Sequence, residues 1–139
     1  MNEKEIQTVL ATIAAARVDP NDELIKLTCF IQNQTVLALV DTGASSNYIS
    51  KDTLTELDPL GLFPIEPHVQ SIKVGDNRFV TSIGKVTMPM IVDQHEFATS
   101  FIILQNLSFE IILGMQFLST NNAIIDTADR SVILIYRGQ

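Results

Sequence analysis

With a single cysteine among 139 residues, Cys29, the chain has no means of forming an internal disulfide. Its two histidines, His68 and His95, lie far apart in sequence, so no metal-ligand spacing is present, and neither a metal nor another cofactor is expected. Lys and Arg number nine against sixteen Asp and Glu, for a net charge of −7. No basic block stands out, which argues against a nucleic-acid partner. No apolar run approaches the ~20 residues of a membrane-spanning helix, so no membrane partner is expected. The N-terminus shows no basic region followed by an apolar stretch, so a secretory leader is not expected. Tryptophan is absent and aromatics amount to 6%, which leaves a core to be built from aliphatic side chains.

Those side chains are plentiful. Hydrophobic residues make up 46% and charged residues 18%, a balance that excludes disorder and suits one domain. Residues 2–17 read as a helix: Asn2 caps, Glu5 answers it, and Ile6, Val9, Leu10 and Ile13 share a face. Asp19-Pro20 ends it. Residues 1–22 are therefore expected to form a helical extension or linker, and 23–139 the main domain. From Glu23 the period becomes two. Strands are expected over 24–31 and 35–40, followed by a short helix capped by Ser50 and a loop over 58–67. Hairpins follow over 71–83, with a Gly75-Asp76-Asn77 tip, and over 85–104, turning at 93–96. A strand over 109–113, a short helix over 115–120 and a hairpin around 127–130 complete a mainly β chain without βαβ alternation.

One stretch carries chemistry. The apolar strand Leu39-Val40 runs directly into Asp41-Thr42-Gly43-Ala44-Ser45. As an isolated tripeptide, Asp-Thr-Gly is an ordinary turn. At the end of a buried strand, however, a carboxylate is unfavourable unless it is hydrogen-bonded or functional. Gly43 allows close backbone approach or unusual dihedrals, and Ser45 is placed to donate to the outer carboxylate oxygen. Ile111-Ile112-Leu113-Gly114-Met115 repeats the pattern of strand, glycine and short helix without the acid. Gly114 is expected to pack behind the active loop. Asp126-Thr127-Ala128 is a near-copy in which Ala replaces Gly, and Asp126 reads as structural.

Taken together, Ala38 to Ser50, the Val74-Gly75-Asp76-Asn77 tip, and Ile111 to Leu118 with Ala123 to Asp126 resemble the retropepsin-like aspartic proteases of retroviruses and LTR retrotransposons, most of all the gypsy-type branch. The tip departs from the frequent Asp-Gly, but Asn tolerates the left-handed conformation a hairpin tip needs. The resemblance implies a closed, barrel-like β fold with a flap hairpin, short helices and one catalytic Asp per chain. It makes Asp41, Thr42 and Gly43 the catalytic loop, and Ala44, Ser45, Val74, Gly75, Asp76 and Asn77 substrate-facing or flap residues. Leu39 and Ile83 would help shape side-chain pockets. Hydrolysis by this chemistry takes two acids around one water, and the chain offers one. A homodimer cleaving extended polypeptide, such as a Gag-Pol-type polyprotein, is the implied function, in the cytoplasm or a virus-like particle. Alternatives are a weakly active or inactive dimerisation domain of this fold, a domesticated or ubiquitin-pathway protease, and a plain β-barrel binding module.

Overall fold

The computed structural model describes residues 8–14, 24–73 and 77–137. Strand β1 (Thr8–Ala14) comes first, where the sequence pattern suggested a helix. It forms seven antiparallel pairs with the last strand, β12 (Ser131–Arg137), from Thr8↔Arg137 to Ala14↔Ser131. Thr8, Val9, Thr12 and Ile13 are β-branched, and a long partner strand offers this backbone a ladder that outweighs the local helical pattern. The other residues of the expected helix, including Asn2, Glu5 and Ile6, lie outside the described residues, as does Asp19-Pro20. A short β11 (Ile124–Asp126) flanks β12 on its other side.

The main body is a closed barrel of six strands. Its order is β2 (Ile25–Ile31), β3 (Gln34–Val40), β10 (Ile111–Leu113), β4 (Tyr48–Ser50), β9 (His95–Leu104) and β8 (Gly84–Val92). It closes where β8 meets β2 at Phe30↔Ile91. Period two is visible in β8: Val86, Met88, Met90 and Val92 are buried, while Thr87 and Pro89 are exposed. Pro89 falls between the pairing of 85–86 with Ile65–Glu66 and the β2 contact at Ile91, where β8 needs no donor on that side. The turns Gln32-Asn33 and Asp93-Gln94 have positive φ at both residues, the two-residue geometry that matches strand twist. The second is tighter than the four-residue turn expected. Cys29 is fully buried in β2, and burial pushes its thiol up to about 12, which keeps it protonated and unreactive.

Helix α1 (Lys51–Leu57) is capped as expected. Ser50 Oγ accepts from the Thr53 amide at 3.1 Å. After it, Asp58 accepts the amides of Leu62 at 2.8 Å and Phe63 at 3.0 Å, folding the proline-rich loop. That loop contains an unexpected edge strand, β5 (Ile65–Glu66), on β8. The flap hairpin consists of β6 (Ser71–Lys73) and β7 (Phe79–Thr81). The tip residues Val74, Gly75 and Asp76 lie outside the described residues. Asn77 has φ 67°, the left-handed conformation expected of it. Buried Ser82 pins the base of the flap: its hydroxyl donates to His68 O at 2.6 Å and accepts the Gln70 amide at 3.0 Å.

The parallel pairing of β3 with β10 positions the site. Val40 stands opposite Leu113, so Asp41 and Gly114 leave the barrel side by side. The Asp41 amide donates to Leu113 O at 3.0 Å. Helix α2 (Met115–Thr120) starts just beyond, and its first amides need acceptors. The active loop supplies them: Ala44 O accepts from Met115 N at 2.7 Å and Ser45 O from Gln116 N at 3.0 Å. Asn47, 2% exposed, locks the joint, accepting the Gly114 amide at 3.0 Å and donating to Ser100 O at 3.2 Å. A Cβ on Gly114 would stand 2.2 Å from Ser46 O and 2.6 Å from Ala44 O, so only glycine fits. Gly114→Ala should therefore destabilise the fold by about 2 kcal/mol or more, read from urea unfolding, because backbone must move. Asn47→Ala strands a buried amide and should cost about 1–3 kcal/mol in the same assay.

Candidate active site

Asp41 sits half-buried at the end of β3. Its side chain is oriented by its own turn: Oδ1 accepts the Gly43 amide at 2.9 Å, while its carbonyl accepts the Ala44 amide at 3.2 Å. A Cβ on Gly43 would stand 3.2 Å from Oδ1. Gly43 does not adopt a positive φ; among the described glycines only Gly61 does. What this position needs is thus room for a carboxylate folding back onto its own main chain, rather than a special dihedral. Ser45 does not donate to Asp41 as expected; it engages the neighbourhood through its carbonyl, on Gln116. Among the described residues nothing donates to Oδ2, which leaves that oxygen available to a reactant or to a second acid.

The carboxylate opens into a cleft of about 840 Å³. Gly43, Ala44 and Ser45 form the near wall, with Gln70, Ser71, Ile72 and Asn77 of the flap region opposite. Apolar surface comes from Leu39, Tyr48, Leu104, Leu107 and Ile112. Several of these belong to a small core of their own, in which Tyr48, Ile72, Ile102 and Leu104 are joined by Ala44, Val80, Leu107 and Ile112. The packing that holds the flap to the barrel therefore also forms the cleft's apolar surface. Ile83, suggested as a pocket residue, is 43% exposed and does not line the cleft. The segment Asn106 to Phe109 does line it. Nothing in its composition signalled this, because its position depends on the β9–β10 crossover. Asn47 as a brace has no signal in the local sequence, because its partners Ser100 and Gly114 lie 53 and 67 residues away.

Thr42 is exposed and faces a different, smaller hollow of about 280 Å³, lined by Met115, Leu118, Ala123 and Ile125 among others. Met115 is 41% exposed and Ile124 59%, so this surface beside the Asp41–Ser45 loop is apolar and uncovered. Asp126, the near-copy acid, lies elsewhere: its Oδ1 accepts the amides of Ala128 and Asp129, both at 3.1 Å, as a turn-forming side chain. Among the described residues lining the cleft, Asp41 is the one carboxylate.

Known proteins share this architecture. The retroviral protease-like domain of Ddi1 from Leishmania major superposes with a TM-score of 0.65 at 18% identity, covering 81% of this chain and 94% of that one. A retropepsin-like aspartic protease from Rickettsia conorii gives 0.62 at 24% identity, covering 93% and 92%. EIAV protease in complex with the inhibitor HBY-793 gives 0.61 at 14% identity, covering 80% and 99%. No curated protein matches the sequence. The family model for retroviral aspartyl protease matches residues 5–139. The six-stranded barrel, the flap hairpin and the Asp-Thr-Gly loop at the end of β3 are thus those of a chain that belongs to the retroviral aspartyl protease family, with the retropepsin-like fold.

Proposed function

We propose that two copies of this chain associate around a two-fold axis into an aspartic endopeptidase that cleaves extended polypeptide, as in the processing of a Gag-Pol-type polyprotein. The observation that carries this reading is Asp41, the one carboxylate among the described residues lining the cleft, oriented by the Gly43 amide and with its second oxygen open. Acid-base cleavage of a peptide bond needs a base to take a proton from water and an acid to donate one to the carbonyl oxygen. A two-fold axis beside Asp41 supplies both from identical residues. Two carboxylates at close range do not both ionise, so they share a proton. The ionised partner draws a proton from water as its oxygen attacks the carbonyl carbon. The protonated partner gives its own to the carbonyl oxygen, and collapse of the tetrahedral intermediate releases the amine once its nitrogen is protonated.

The exposed hydroxyl of Thr42 and the apolar hollow beside it fit a surface that meets its own copy. The cleft accommodates a peptide in extended form, whose main chain pairs with the flap as an added strand. A second reading keeps the fold as a dimerisation module without catalysis. It draws on the likeness to the retroviral protease-like domain of Ddi1.

Asp41→Asn separates the two. It should reduce cleavage of an extended peptide by about 10²–10⁴-fold or more while leaving the circular dichroism spectrum unchanged; equal cleavage by both proteins overturns the catalytic reading. Activity per chain should also fall on dilution through the dimer dissociation constant, in step with the sedimentation coefficient. A fully active monomer rules out the shared site.

A further inference from the structure

In a chain of net charge −7, the cleft departs from the rest of the surface. The charged residues among its described lining are Asp41, Lys73 and Arg78. Hydrolysis as proposed above occupies Asp41, so the remaining charge is positive and stands on the flap. The hairpin register separates the two cations. Ile72 pairs with Val80, and both pack on the Tyr48, Ile102 and Leu104 cluster that faces the cleft. Lys73 pairs with Phe79, which is 67% exposed. Paired residues share a face and successive residues alternate, so Lys73 and Phe79 face away from that cluster. Arg78 directly precedes β7 and lines the cleft beside Asn77 and Ile72.

We propose that Arg78 reads the charge of the substrate, so that the cleft selects peptides carrying an Asp or Glu near the apolar residues it encloses. This rests on the reading of the cleft as a peptide site. A guanidinium presents a planar fork of donors that matches a carboxylate in two bonds, which an ammonium cannot do. Arg78 already engages a neighbour within the chain, and five N–H donors allow it to serve a second acceptor. The same charge disfavours peptides with Lys or Arg at that position. In a two-fold dimer each flap carries one Arg78, so an acid is selected on either side of the scissile bond.

The test is a peptide panel with a constant apolar core, in which Glu, Gln and Lys are placed in turn at each flanking position. For the wild-type chain, Glu should raise kcat/KM over Gln about three- to tenfold at one or two positions. The gap should shrink in about 0.5 M NaCl, where charges are screened beyond a few ångströms. Arg78→Glu should invert the ranking toward Lys, Arg78→Lys should keep a weaker preference for Glu, and Lys73→Glu should leave the ranking in place. An unchanged ranking in Arg78→Glu, or an inversion that follows Lys73→Glu instead, overturns the proposal. Binding of the same panel to Asp41→Asn, followed by fluorescence anisotropy, reads the charge preference without cleavage. Absence of turnover with a retained Glu preference in binding therefore rejects the protease reading alone, and turnover without any charge preference rejects this one alone.

Discussion

The interlock between Gly114 and the loop after Asp41 holds the site together. Parallel pairing of β3 with β10 places Val40 beside Leu113, and the two strands leave the barrel in contact. From there the loop has little freedom. Its carbonyls at Ala44 and Ser45 accept the first amides of α2, and Asn47 accepts the amide of Gly114. Each group satisfies a partner that would otherwise be left without a bond in a partly dry environment. The carboxylate is thus aimed by a joint whose tightness follows from the absence of one side chain. Preorganisation of this kind fixes a reacting group before substrate arrives.

Much of this was legible in the sequence because it is written in local chemistry. An apolar strand ending in Asp-Thr-Gly, a serine before a helix, and β-branched runs separated by polar turns each have a short-range physical cause. Gly114 could be placed behind the loop because the strand–glycine–helix pattern occurs twice. The N-terminal segment shows the limit of such reading. Its apolar spacing suits a helix, but β12 lies some 120 residues away in sequence and supplies a ladder no local window contains. Strands β4 and β5, three and two residues long, carry too few positions for a period to register. The segment from Asn106 to Phe109 lines the cleft through topology alone.

The same local reading went astray on chemistry in one instructive way. Ser45 was expected to donate to the carboxylate, yet the Gly43 amide does so. A main-chain donor is fixed by the turn, whereas a hydroxyl has rotamers to lose. Gly43 likewise is needed for the space its missing Cβ leaves to Oδ1, with φ outside the left-handed region. The turn thus relies on its main chain, not on a Ser45 hydroxyl bond or a left-handed Gly43.

The cleft and the joint behind Asp41 are not independent. Ala44 and Ile112, on either side of the β3–β10 seam, pack with Ile72 and Val80 of the flap in one apolar cluster. The flap hairpin thus packs on side chains that adjoin the loop holding Asp41. Close packing of this sort transmits a displacement of the flap to that loop. On the other side of that loop, Thr42 and Met115 stand at an uncovered apolar surface. The loop is held firmly by its own chain from behind, while the faces toward the cleft and toward Thr42 stay open. Among the described residues nothing donates to the second oxygen of Asp41, so the brace lies on one side of the loop alone.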